Sequence, residues 1–233
     1  MSYASPVILS FDKACFAFND GKRVILNEAN FSIRENTKIT IMGQNGAGKS
    51  TMFKIIMGEL KLQSGKMNLV PGKTVAISRQ VIPRDQISLT VKEYFATAFS
   101  KPDTKLERKI ADVLNEVNLV APLTKTLKEF SGGQQARLLL AHGLIQEPDI
   151  LLLDEPTNNL DTAGISHLIS FILGYEKTVV VISHDADFLN MFTDGALYLN
   201  VQRQTVEQYW GNYYDVVEQI AAQIEKERQQ NAR

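Results

Sequence analysis

The run Gly43-Gln44-Asn45-Gly46-Ala47-Gly48-Lys49-Ser50 constrains this chain more than any other feature. Its pattern is Gly, four residues, then Gly-Lys-Ser, which predicts a phosphate-holding loop between a strand and a helix. The glycines let backbone approach a ligand where a Cβ would intrude. Successive N–H groups then point at phosphate oxygens, and the helix that follows offers them its positive end. Lys49 supplies a mobile cation for the β- and γ-phosphates of a nucleoside triphosphate, and Ser50 a hydroxyl for Mg²⁺. Thr51 extends the same helical turn.

The flanks of the loop agree with it. Lys38 to Met42 is a β-like run that stops at Gly43, and Lys49 to Met57 reads as helix. Before them, Val7 to Ile41 holds short β-like runs separated by turn signals such as Asn19-Asp20-Gly21. After them, Val75 to Ser78 predicts a short strand. Val91 to Asn118 predicts helix, with Ile110, Val113, Leu114 and Val117 at offsets of three and four. Ser131 to Ile145 is a helix that opens in glycines. Ile150 to Leu153 and Val179 to Ile182 are unbroken apolar runs, suited to parallel strands covered on both faces. Strands alternating with helices predict an α/β core. From Asp215 a further helix places Val216, Val217, Ile220, Ala221 and Ile224 together. Beyond Ile224 it is polar all round, and it is expected to leave the core.

Bulk properties narrow the class. With 44% hydrophobic and 22% charged residues in 233, the chain has apolar material for one substantial core. A formal net charge of -1 sets up no global field for nucleic acid or a membrane surface. The single cysteine, Cys15, rules out an internal disulfide and fits a reducing compartment. The start, Met1-Ser-Tyr-Ala-Ser-Pro6, is unlike a signal peptide. No apolar stretch approaches the roughly 18 residues that span a bilayer. The expected location is the cytoplasm, with no integral membrane segment in this chain.

The second chemical landmark is Ile150-Leu-Leu-Leu-Asp154-Glu155-Pro156, an apolar strand ending in two acids. Open α/β sheets bind ligands at the carboxyl ends of their strands. Asp154 is therefore placed to hold Mg²⁺ through water. Glu155, on the other side of the strand, can polarise an attacking water as general base or positioning group. An acidic helix cap or solvated turn is the bland reading of such a pair; the phosphate loop in the same chain favours catalysis.

A third landmark, Phe130-Ser131-Gly132-Gly133-Gln134, opens a helix with a second anion-binding nest. Lying between Lys49 and Asp154, it makes the chain resemble the ABC ATPase superfamily, whose signature is Leu-Ser-Gly-Gly-Gln. The resemblance implies a P-loop NTPase core of the ABC type, with an N-terminal antiparallel β subdomain. A helical signature subdomain would be inserted at about residues 85–145. The cassette would span residues 1–210, and 211–233 would begin a helical linker or C-terminal tail. The resemblance also implies Mg-dependent hydrolysis of ATP by paired cassettes, in tandem or as a homodimer. Ser131, Gly132, Gly133 and Gln134 of one cassette would close over ATP held by the other.

Other roles carry over residue by residue. Gln80, after the strand Val75 to Ser78, is similar to the Q-loop glutamine that contacts Mg²⁺ and the attacking water. Asn159-Leu160-Asp161 resembles the D-loop, which crosses to the partner. His184, in Ser183-His-Asp185, is similar to the switch histidine that reaches the γ-phosphate. His142 and His167 read as structural. Phe18 aligns with the aromatic residue that stacks on adenine, with Phe16 as its rival.

Within the superfamily, Asp154-Glu-Pro-Thr-Asn-Asn-Leu-Asp161 and Ser183-His-Asp-Ala-Asp-Phe-Leu189 are similar to the ABC-F versions of these motifs. Tyr209-Trp-Gly-Asn-Tyr-Tyr214 resembles the segment before the helical linker of the first ABC-F cassette. That implies ATP-dependent action on the ribosome in translation. The alternatives are the ATP-binding subunit of a membrane transporter, and a nucleotide-gated scaffold. Asn159 stands where the ABC-F pattern has histidine, and Ala186 where it has arginine. The tail from Val201 carries no clustered basic footprint of the sort RNA contact uses.

Overall fold

Residues 7–34 form two long strands, β1 (Val7–Phe18) and β2 (Arg23–Arg34), whose alternation of buried and exposed positions is interrupted where the register shifts. They pair antiparallel around a turn in which Asn19, Asp20 and Gly21 take φ of 53, 51 and 88°. Short polar residues and glycine tolerate that left-handed backbone best. This computed structural model describes residues 5–231. The next elements are β3 (Lys38–Met42), α1 (Lys49–Ile56), β4 (Ser64–Leu69) and β5 (Val75–Ser78). Then come α2 (Val91–Ala96), α3 (Leu106–Glu116), α4 (Gly132–Leu144), β6 (Ile150–Asp154) and α5 (Thr162–Gly174). The chain closes with β7 (Thr178–Ile182), α6 (Ala186–Asn190), β8 (Gly195–Asn200), β9 (Thr205–Trp210) and α7 (Tyr213–Asn231).

Two compact units divide the chain, one running up to Gly72 and again from Val180, the other spanning Lys73–Val179. In the first, a three-stranded antiparallel sheet has the order β2-β1-β4. Its register sets Phe11 opposite Phe31, and their rings stack with centroids 4.4 Å apart. The same unit pairs β3 with β8 in parallel and β8 with β9 antiparallel. Gln208 of β9 grips β2: its Nε2 donates to the Ser32 carbonyl at 2.8 Å, and its Oε1 accepts from the Ser32 N–H at 3.1 Å.

Helix α7 packs on β8 and β9 through Val216 and Ile220, against Ala196, Met42, Tyr198 and Tyr209. Val217 and Ile224, grouped with them by sequence, stay 39% and 38% exposed. Each lies one position, about 100° of helical turn, beyond a residue of the packed line 216, 220, 223. Beyond Ile224 the polar end lies outside the core, with Glu225, Lys226 and Arg228 to Gln230 exposed, and one surface tie anchors it. Glu227 pairs with Arg203 of the β8–β9 turn at 2.6 Å and accepts from Gln223 at 2.7 Å.

In the second unit β5 and β6 run parallel, with Val75 opposite Ile150 and Ser78 opposite Leu153. The helix expected over Val91 to Asn118 is two helices, α2 and α3, broken at residues 97–105. Pro102 explains the break, since proline bars its predecessor from helical backbone. Thr97 turns its hydroxyl onto the Tyr94 carbonyl, and Asp103 accepts from the Lys105 N–H at 2.8 Å. No described helix is long and apolar enough to cross a membrane.

Candidate functional site

In the first unit the chain leaves the buried strand β3 at Gly43 and turns through the loop to α1. The Ala47 N–H closes onto the Gln44 carbonyl at 3.0 Å. Gly48 is the N-cap of α1 with φ 104°, and a Cβ there would lie 2.5 Å from Ile25 Cγ2. Both backbone sign and space therefore demand glycine. No side chain caps α1, and no acid stands in its first turn. A helix start of that kind suits an anion.

Lys49 folds back along the loop, donating to the Gly43 carbonyl at 2.8 Å and that of Gln44 at 3.3 Å. Ser50 is exposed and Thr51 half-buried on α1, while Gln44, Asn45 and Gly46 form the open crest. His184 follows β7 on a turn in which the Asp185 N–H bonds the Ser183 hydroxyl at 3.1 Å. A cavity of about 320 Å³ is lined by Gly43, Gln44, Lys49, His184, Tyr198 and Tyr213, among others. The phosphate loop and the histidine assigned to the γ-phosphate thus open into one space. Phe16 is buried and meets Phe18 edge-on at 4.9 Å; Phe18 itself is half-buried.

The second unit carries the remaining residues. Gln80 and Glu155 line one pocket, beside Arg137 and Pro156. Asp154 ends β6 half-buried. Glu155 takes φ 48°, a backbone region costly for any residue with a Cβ. Strain of that sort gathers at functional positions. Ser131 caps α4 with a reciprocal box: its hydroxyl accepts from the Gln134 N–H at 3.3 Å, and Gln134 Oε1 from the Ser131 N–H at 3.0 Å. Asp161 caps α5, accepting from the Gly164 N–H at 2.8 Å. Ser131, Gly133, Gln134, Asn159 and Asp161 line a second cavity of about 510 Å³.

One contact of the phosphate loop has no counterpart among the residues singled out from sequence. Arg23 donates to the Gly46 carbonyl at 2.7 Å and so touches the phosphate loop from β2. Its only sequence signal was a place just after the Asn19-Asp20-Gly21 turn. Asn159, noted for departing from the ABC-F pattern, is the neighbour that a Cβ on either signature glycine would meet. The distances would be 3.3 Å to its Cβ from Gly132 and 3.0 Å to its carbonyl from Gly133. The other two histidines are occupied elsewhere. His142 stacks on Tyr94 at 4.3 Å and shares a 3.0 Å hydrogen bond with Thr97, and His167 bonds the Glu116 carbonyl at 3.0 Å.

An uncapped phosphate loop, a strand ending in paired acids and a glycine-led signature helix define a P-loop ATPase cassette. The family model described as ABC transporter matches residues 26–158. The chain is 31% identical over 224 residues to ABC transporter F family member 4 of Dictyostelium discoideum, covering 96% of this chain and 19% of that protein. It is 32% identical over 200 residues to the zinc import ATP-binding protein ZnuC of Yersinia pestis, covering 84% of this chain and 77% of that one. Among solved structures it matches a dimeric post-hydrolysis ATP-binding cassette bound to ADP and Pi. The TM-score is 0.71 at 23% identity, over 87% of this chain and 98% of that one. The chain belongs to the ABC transporter family and is an ATPase domain of that family. It spans only 19–42% of the length of the ABC-F, YheS and YkpA proteins it matches.

Proposed function

We propose that this cassette binds ATP with Mg²⁺ on its phosphate loop and hydrolyses it only when paired with a second cassette. The observation that carries the reading is the single cavity shared by Gly43, Gln44, Lys49 and His184, at the head of a helix whose N-cap is Gly48 and whose first turn holds no acid. Residues 43–48, Lys49, Ser50 and Thr51 hold the triphosphate, and Phe18 stacks on adenine. Ser50, Gln80 and Asp154 offer oxygen donors of the kind Mg²⁺ prefers, and the ion would neutralise phosphate charge. Glu155 orients and deprotonates the attacking water, while His184 and Lys49 stabilise charge on the γ-phosphate.

The pairing reading is supported by exposure of Ser131 and Gly132 beside a cavity that also takes in Asn159 and Asp161. There the partner's nucleotide is expected to dock. The test is turnover per chain against protein concentration. Hydrolysis should rise with concentration, and Glu155→Gln should lower it by about a hundredfold or more while ATP stays bound. Turnover that stays unchanged in a verified monomer contradicts the paired mechanism.

The finer reading is the first cassette of an ABC-F type protein, located in the cytoplasm and acting on the ribosome in translation. Residues 1–210 form the cassette, and 211–233 begin a helical linker or tail. Support comes from Tyr209-Trp-Gly-Asn-Tyr-Tyr214. Asn212 caps α7 there by accepting from the Asp215 N–H at 2.9 Å, and the Gly211 N–H bonds the Asp194 carbonyl at 3.0 Å. Alignment with ZnuC along 77% of its length favours the other reading, a transporter's ATP-binding subunit. Sedimentation of the Glu155→Gln protein with ribosomes in ATP separates them. ATP-dependent co-sedimentation is expected of the first reading, and its absence favours the second.

A further inference from the structure

Phe18 and Arg23 are Cα partners across the β1–β2 hairpin. The register that joins them leaves the Arg23 guanidinium 5.9 Å from the Phe18 ring centroid. From the same group Nη2 reaches the Gly46 carbonyl at 2.7 Å. Two residues along β2, Ile25 fills the space where a Gly48 Cβ would stand, 2.5 Å from its Cγ2. The strand therefore braces the phosphate loop at two points, by a charged hydrogen bond at Gly46 and by packing at Gly48.

The first brace has a consequence for loop geometry. A peptide unit is planar and trans, so a donor that fixes the Gly46 carbonyl also fixes the Ala47 N–H on its far side. That N–H closes the loop onto the Gln44 carbonyl at 3.0 Å. Ordering the loop before ligand arrives lowers the entropy lost on binding. A hydrogen bond from a charged donor is strong enough to matter here, with a typical effect near tenfold in an equilibrium.

We propose that Arg23 is a positioning residue for nucleotide binding, locking the Gly46–Ala47 peptide of the phosphate loop to the strand that carries Phe18. The inference rests on the reading of residues 43–50 as the triphosphate site. Its reach differs from that of a base contact: it acts on any polyphosphate, with or without adenine.

The experiment measures binding of Mg-ATP and of Mg-tripolyphosphate, which has no base, by calorimetry on the full chain. The variants are Arg23→Met, Arg23→Lys, Phe18→Ala and Lys49→Ala, with thermal unfolding recorded for each. Exchange of the Ala47 amide is followed by NMR without ligand. Arg23→Met should weaken both ligands about tenfold, and by similar factors, at unchanged melting temperature. It should also speed Ala47 exchange, which Arg23→Lys should partly restore. Phe18→Ala should weaken ATP alone. The proposal is overturned if Arg23→Met weakens only ATP, weakens neither ligand, or leaves Ala47 exchange at the wild-type rate. A stable Arg23→Met protein is needed for that reading; should it melt early, the Arg23→Lys exchange rate decides, and a wild-type rate there counts against the proposal. If the parent chain and Lys49→Ala bind tripolyphosphate alike, the triphosphate reading falls and takes this inference with it.

Discussion

The hydroxyl of Tyr214 donates a hydrogen bond to the carboxylate of Asp187, joining the first turn of α7 to α6, the short helix just beyond His184. The Tyr214 N–H adds a second tie to Asn190 at 3.2 Å. The bond holds the Tyr214 phenol above its ordinary pKa, because ionisation would remove the donated proton and set two negative charges together. Asp187→Asn should bring the phenol back toward the usual tyrosine value. Ring-labelled NMR titration will show it, and a Tyr214 resonance that titrates identically in both proteins would refute the bond.

The signature glycines leave room for Asn159, and the two should respond differently to a methyl group. At Gly132 an added Cβ meets the Asn159 side chain, whereas at Gly133 it meets the Asn159 carbonyl at 3.0 Å. Each alanine should cost about 1 kcal/mol through overpacking. Asn159 has φ 64°, which glycine adopts freely, so Asn159→Gly should relieve the Gly132→Ala clash. It should not relieve Gly133→Ala, where the obstacle is backbone. Urea unfolding of the single and double variants gives the coupling energies, and equal rescue of both would refute this arrangement.

Glu155 sits in left-handed backbone at φ 48° directly after β6. Alanine and glycine both delete its carboxylate, but only glycine relaxes the backbone. Glu155→Gly should therefore be more stable than Glu155→Ala by about 1 kcal/mol, with both inactive in ATP hydrolysis. Denaturant midpoints and phosphate release measure the two effects. Equal stability would mean that the backbone at 155 is unstrained.

His142 should make stability depend on acid. Burial lowers its pKa to about 4, with Arg79 adding to the effect and a backbone hydrogen bond at Tyr94 opposing it. Between pH 6.5 and 4 the unfolded chain takes up a proton that the folded chain refuses. Stability therefore falls as pH falls through that window and is retained above it. A depression of this size corresponds to about 3 kcal/mol in total. His142→Phe, which can still stack on Tyr94, should lose less stability than the parent between pH 7 and pH 4.5. Parallel urea curves for the two proteins at both pH values would show that His142 does not carry the effect.

Much of the candidate site was legible because its chemistry is local in sequence. Gly43 to Ser50 is a contiguous turn whose glycines, lysine and serine make sense only together. Asp154 and Glu155 end a short apolar run of the length and composition that suit a buried strand. Ser131-Gly-Gly announces the start of a helix, although the capping box that Ser131 forms with Gln134 came from the structure. Proline at 102 was legible too, yet the strong helical period around Ile110 and Val113 hid the break it causes.

Sequence alone thus determined the strand-loop-helix at Lys49, the acid-ended strand at Asp154 and the signature helix at Ser131. In each, hydrogen bonds and backbone angles link residues a few positions apart. Only the tertiary structure decided that Arg23 holds Gly46, that Asn159 fills the space beside Gly132 and Gly133, and that Tyr214 binds Asp187. Those contacts depend on hairpin register, on close approach over missing Cβ atoms and on the seating of α7. They are set by packing between segments distant along the chain, which a linear pattern of residue types does not encode.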